Sequence, residues 1–149
     1  MSRSLYVQGL KQAKAMEVRH DSEPVRLAPD RPVEGNWQGD KVFNASLRLY
    51  GGRITLLEDS PYIGIEVYLN AKSGDTLSRT SPNFAGFFKR CVTSIETDKE
   101  MIVGLDVTKA ARALLNGGDR VSATVRIVEG QGILSWKSSE LAVFINERI

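Results

Sequence analysis

The chain has 149 residues, 42% hydrophobic and 26% charged, with 20 basic and 18 acidic side chains for a net charge of +2. That is the size and make-up of one globular domain able to bury its own core, and its scattered, balanced charge excludes the clustered basic face of a nucleic-acid binder despite a pI near 8.8. A single cysteine, Cys91, excludes an internal disulfide and a cysteine metal knot, and a single histidine, His20, excludes coupled dicopper sites and most catalytic zinc sites.

The first ten residues hold no continuous apolar stretch, so no signal peptide is expected. With the lone thiol this predicts a cytoplasmic protein. No run approaches the length of a membrane span. Over residues 1–23, Leu5, Val7, Leu10 and Met16 fit no single period, leaving a short helix, an added strand or a disordered arm open. Residues 24–41 carry Pro24, Pro29, Pro32, Gly35 and Gly39 and are expected to be extended with turns. The organisation expected is an N-terminal arm or extended segment over 1–41 and a β domain over 42–149. His20, beside Arg19 and Asp21, is expected to be solvated.

From Phe43 onward strand signals strengthen. Leu47 and Leu49 alternate with Ser46, Arg48 and Tyr50, and Gly51-Gly52 then marks a bulge or turn. Glu58 to Pro61 reads as a turn. Tyr62 to Asn70 is the clearest strand. Ile63, Ile65, Val67 and Leu69 take one face, and Tyr62, Gly64, Glu66 and Tyr68 the other, which should look to water or a partner. Residues 72–75 are turn chemistry and 76–83 a polar loop. Phe84 to Val92 is a further strand, in which alternation sets Phe84, Gly86 and Phe88 against Phe87. Met101, Val103, Leu105 and Val107 alternate again. Thr108 can then cap a helix over 109–115, with Gly117 supplying a left-handed stop. Strands are predicted over 120–128, 133–136 and 141–145, with a hairpin-like turn at 129–132.

About seven strands with turns every 8–12 residues predict an all-β fold, an antiparallel β-sandwich or closed barrel with one short helix.

The chemistry of sites is thin. Gly51-Gly-Arg53 lacks the lysine and helix of a phosphate loop, and Gly117-Gly118 follows a helix rather than opening one. Glu58, Asp59, Asp75, Asp98 and Asp106 fall mostly where acids cap turns, and Glu66 alone sits mid-strand, so no catalytic carboxylate pair stands out. Cys91 follows Lys89 and Arg90 but has no histidine nearby to act as its base, so a buried structural thiol is expected. Trp37 and Trp136 read as core plugs rather than sugar platforms. Neither enzyme chemistry nor a cofactor or metal is expected. Tyr62, Tyr68, Phe84, Phe87 and Phe88 are the candidate contacts for a partner, because exposed aromatics make good anchors.

In order along the chain stand Tyr62-x-x-x-Glu-Val-Tyr-Leu-Asn70, Asn83-Phe-Ala-Gly-Phe-Phe88, Gly-Leu-Asp-Val-Thr108 and Arg-Val-Ser-Ala-Thr-Val-Arg-Ile-Val128, preceded by Leu47-Arg-Leu-Tyr-Gly51. This succession resembles the C-terminal domain of the polyphenol oxidase and tyrosinase family, over about residues 43–146. The resemblance implies a β-sandwich that packs over the dicopper site of a catalytic domain and keeps it latent. The histidine-rich copper-binding helices of that family are absent here. Where its plant members continue to a Pro-His, this chain has Lys89-Arg-Cys91, so no metal ligand carries over. The resemblance therefore implies a non-catalytic binding or shielding module whose partner is a protein such as a type-3 copper oxidase. Two other expectations stay beside it: a self-assembling homo-oligomer, and a carbohydrate-binding module.

Overall fold

A computed structural model describes residues 2–28, 31–91 and 100–148. Ten strands and one α-helix are seen among them: β1 (Ser2–Gln12), β2 (Met16–Arg19), β3 (Val25–Leu27), β4 (Val42–Leu56), β5 (Ile63–Leu69), β6 (Phe84–Arg90), β7 (Met101–Asp106), α1 (Thr108–Leu114), β8 (Ala123–Glu129), β9 (Gly132–Trp136) and β10 (Ser138–Arg148). They form two antiparallel sheets, the all-β sandwich expected.

The first sheet is built on β4, which buries Val42, Ala45, Leu47, Leu49 and Ile54, with alternation regular from Ala45 to Leu49. β9 and β10 follow each other past Lys137 and pair with β4 in nearly constant register, from Leu56 opposite Gly132 to Asn44 opposite Phe144. The Lys137 amide donates to the Tyr50 carbonyl at 2.8 Å, so the ladder continues across the bend between them. β7 lies on the other side of the first half of β4, with a bulge between Leu49 and Gly52, where the glycine pair announces one. β1 flanks β10 and β2 flanks β9. The second sheet runs β3–β8–β5–β6.

Three of the strands, β1, β2 and β3, fall before residue 42. Of the alternatives open for residues 1–23 the added strand is realised, twice in the first sheet, and β3 then joins the second. Val7, Leu10, Val18, Leu27, Val33 and Trp37 all enter the shared core. The proline-rich stretch disguises this, because β3 is only three residues long and pairs on one side only. Trp37 is buried, its Nε1 donating to the Glu34 carbonyl at 2.8 Å, and Trp136 is buried too.

Between the sheets lie Leu47, Leu49, Ile54, Ile63, Ile65, Val67, Leu105, Val125, Leu134, Leu141 and Val143, all buried. Each aliphatic side chain taken fully out of water contributes about 1.5–3 kcal/mol. α1 packs against β4 and β6. Its start differs from the expectation: Val107 holds the cap position, and the Thr108 hydroxyl accepts from the Ala45 amide at 2.9 Å, tying the helix to β4. Asp106 Oδ1 supplies the missing acceptor, taking the Thr108 amide at 2.9 Å. The left-handed glycine that follows is Gly118, at φ +89°, rather than Gly117.

Three single-residue expectations also change. His20 is half-buried rather than solvated, its Nδ1 3.1 Å from the Gly132 amide where β2 meets β9. Cys91 is exposed rather than buried, because β6 ends at Arg90 and the thiol lies beyond it. Val92 and Asp98 lie outside the described residues.

Candidate interaction face on the second sheet

The outer face of the second sheet gathers the aromatic candidates around an unexpected charge cluster. β5 was expected to be half open, yet all seven of its residues are buried. Glu66 is only 2% exposed and Tyr68 is fully covered. Tyr68 is thus not available to a partner, and its place among the candidate contacts is corrected.

Opposite charge explains how a carboxylate survives there. Glu66 and Arg126 are cross-strand partners on β5 and β8, so their side chains share a face. Arg126 Nε donates to Glu66 Oε1 at 2.9 Å. Arg79, from the loop between β5 and β6, donates its Nε to Glu66 Oε2 at 2.6 Å. The Tyr68 hydroxyl donates to Glu66 Oε1 at 2.8 Å and accepts from Arg126 Nη2 at 3.2 Å. Arg126 Nη2 also reaches the Leu77 carbonyl at 3.3 Å, which holds the loop down over the sheet.

Burial pushes the Glu66 carboxyl up, but hydrogen bonds from Arg79, Arg126 and Tyr68 outweigh it and hold the group below the usual carboxylate range. Burial and then Glu66 push the Tyr68 phenol up. For Arg126, burial disfavours the charge but Glu66 restores it, with a net rise. A carboxylate so engaged has no free oxygen for general acid–base work.

The aromatic run of β6 is placed by two glycines. A bulge shifts the register between Val67 opposite Gly86 and Tyr68 opposite Phe84, so simple alternation fails across it. Phe84 therefore joins Phe87 on the outer face, against Tyr68 at 5.6 Å between ring centroids. Phe88 turns inward and packs on the core. Each of the two later rings lies where a glycine leaves room: a Cβ on Gly64 would sit 2.6 Å from the Phe87 ring, and one on Gly86 would sit 2.6 Å from the Phe88 ring. Phe88 is partly buried against the core on the inner side, while Tyr62, Phe84 and Phe87, also partly exposed, lie on the outer face.

Cations stack on these rings. The Arg79 guanidinium lies 4.1 Å from the Phe87 centroid, and Lys89 Nζ lies 4.8 Å from that of Tyr62. The face is therefore an amphipathic surface with rigid rings, overlaid by positive charge.

Arg79 and Arg126 were not singled out in the sequence. Arg126 carried a usable signal: an opposite charge at the outward position of a strand, matching the outward Glu66. Arg79 sits in a polar loop without periodicity and carried none. Among the described residues no three His, Cys, Asp or Glu side chains come together to hold a metal, and no helix is long and apolar enough to cross a membrane.

No family model matches the chain, and no curated protein matches it by sequence. Its fold, however, has counterparts among solved structures. It is similar to a recombinantly expressed latent aurone synthase, a polyphenol oxidase, with a TM-score of 0.57 and 16% identity over 87% of this chain and 26% of the other. It is similar to the latent enzyme from its natural source, with a TM-score of 0.53 and 15% identity over 87% of this chain and 25% of the other. The same latent enzyme co-crystallised with hexatungstotellurate(VI) gives a TM-score of 0.57 and 15% identity, covering 89% of this chain. This chain spans about a quarter of the length of those proteins. At such identities the likeness establishes a shared fold.

Proposed function

We propose that this chain is a non-catalytic binding module that covers a cleft on another protein, in the manner of the domain that shields the dicopper site of tyrosinases and polyphenol oxidases. The observation that carries this reading is the match of nearly the whole chain to a quarter-length portion of latent polyphenol oxidases. The ordered sequence motifs through residues 43–146 support the same assignment to the C-terminal portion. The contact would be made by the outer face of the second sheet. Phe87 and Tyr62 are its anchors, with Phe84 at the side and Arg79 above.

The partner in this reading is a type-3 copper oxidase, and the mechanism is steric. Rigid rings and stacked cations enter the mouth of the cleft and keep substrate out. Most of the affinity would come from these few anchors, as at other interfaces. The test is to mix the chain with the separately prepared catalytic part of a polyphenol oxidase at micromolar concentration. Co-elution on size exclusion and a fall in oxidase activity are expected. Neither effect, with both proteins folded, would remove the reading.

One observation favours self-association as a second reading. Phe43 and Ile102 on the first sheet are 58% and 63% exposed. Large apolar side chains left in water are candidates for a contact between copies. Light scattering separates the two: a stable closed oligomer supports the second reading, and a monomer that binds the oxidase supports the first.

A further inference from the structure

We infer that Arg79 is a preorganised receptor for a carboxylate, and that the partner of this face presents an acidic side chain to it. The inference rests on the reading that the outer face of the second sheet binds a protein, and adds the chemistry of the contact.

Three constraints fix the Arg79 guanidinium. Its Nε donates to the buried Oε2 of Glu66 at 2.6 Å. Its Cζ lies over the Phe87 ring, 4.1 Å from the centroid. That ring is itself seated on Gly64, where any side chain would collide with it. Yet the Arg79 side chain is 51% exposed. Its two Nη groups have no hydrogen-bond partner among the described residues.

An arginine held by its Nε and by a ring beneath its Cζ offers the remaining Nη pair as a fork. Two parallel N–H donors match the two oxygens of a carboxylate, and the ordering cost of a long side chain is already met by the fold. Glu66 cannot serve as that carboxylate for a partner's cation, because both of its oxygens are engaged inside. Charge agrees. Three cations, Arg79, Arg126 and Lys89, share this face with two acids, Glu66 and Glu129, the latter with its Cβ beside Gly64. An approaching anion therefore meets net positive charge over an aromatic floor, whereas a cation is repelled. Ordinary surface arginines lack both the buried anchor and the ring, and this difference marks Arg79 out.

The test uses the intact chain, with ¹⁵N NMR following the Arg79 Nε–H and the amides of Gly64 and Phe87. The probe is a hexaglutamate peptide, with hexalysine and inorganic phosphate as separate arms at matched ionic strength. Saturable shifts with hexaglutamate at concentrations up to about 5 mM are expected, a range in which weak single-site contacts are read. Arg79→Lys keeps the charge and removes the fork, and should weaken the binding about tenfold. Arg79→Lys lies in a loop, and an unchanged amide spectrum elsewhere shows that it folds.

Absence of saturable shifts, equal binding by Arg79→Lys, or equal response to hexalysine would each overturn the carboxylate assignment. Phosphate binding as tightly as hexaglutamate would overturn it in favour of a phosphate site. If hexaglutamate fails while the copper oxidase still co-elutes, the receptor falls and the shielding reading stands. If hexaglutamate binds and no oxidase does, the reverse holds.

Discussion

The two sheets carry on their outer faces the same kinds of residue in different settings. On the first, Glu140 meets the Tyr50 hydroxyl at 3.3 Å and the Tyr6 phenol, with Arg48 6.0 Å from the Phe144 ring and the Tyr6 ring tilted against that ring at 5.3 Å between centroids. On the second, Glu66 meets Tyr68, Arg79 and Arg126. The first cluster stays open to water, with Tyr6 41% exposed, while Glu66 on the second is 2% exposed. The difference is the loop between β5 and β6, which brings Arg79 over Glu66 and lays the Leu77 carbonyl on Arg126. A carboxylate, phenols and an arginine on a sheet face are therefore neutral as to role. Whether they become a structural lock or a wet surface depends on a loop.

The sharpest way to break this comparison is to remove one charge from each cluster. Arg126→Met should cost about 3–5 kcal/mol in urea unfolding, because it strips a partner from a buried carboxylate. Arg48→Met on the open face should cost under about 1 kcal/mol. Equal effects would show that the loop does not seal the second cluster.

Hydroxyl removal probes the same contrast on a smaller scale. Tyr68→Phe should cost about 1.5–3 kcal/mol, the net worth of a buried hydrogen bond to a charged group. Tyr50→Phe should cost about 0–0.5 kcal/mol, since water replaces the lost partner.

Titration sharpens it further, with opposite signs for acid and base. Glu66 has a folded pKa below its ordinary 4.5. Its contribution is complete above that value and lost as pH falls through the lower folded pKa. Glu66→Gln should flatten the acid limb of a plot of urea midpoint against pH. Burial, followed by the hydrogen bond to Glu140, pushes the Tyr6 phenol from 10.0 up to about 12. A raised phenol stabilises the fold below pH 10 and loses that contribution as pH rises from 10 to about 12. Tyr6→Phe should remove part of the alkaline loss, and Tyr68, whose phenol is also raised, contributes in the same direction.

Much of this architecture can be read from the chain alone. The alternation through Leu47, Leu49, Ile63, Ile65, Val67, Leu105, Val125 and Ile127 announces strands with one inward face, and two such sheets make a sandwich. β1 to β3 escaped because their signal is non-local: Val7, Leu10 and Val18 fit no single period until β10 and β9 supply their partners. The short β3 is hidden between prolines. At the site, the outward position of Glu66 was legible, and its burial was not. Burial there depends on residue 79 reaching back to residue 66 across a loop, a contact no period encodes. Phe84 and Phe88 were assigned to one face because the bulge at Gly86 inserts an extra residue that alternation cannot anticipate. Its signal was the glycine inside an aromatic strand.

β4 has a consequence for the protein's motions. Its first half is flanked by β10 on one side and β7 on the other, and its second half continues the ladder with β9. Opening any peripheral strand leaves most of its amides still bonded, and freeing it requires parting the whole first sheet. The amide protons of its first half should therefore exchange with solvent only through global unfolding, while those of β3, bonded to a single neighbour, escape through local fluctuations. Amide exchange along the first half of β4 thus reads the stability of the entire molecule, and exchange at β3 reads only its fraying edge.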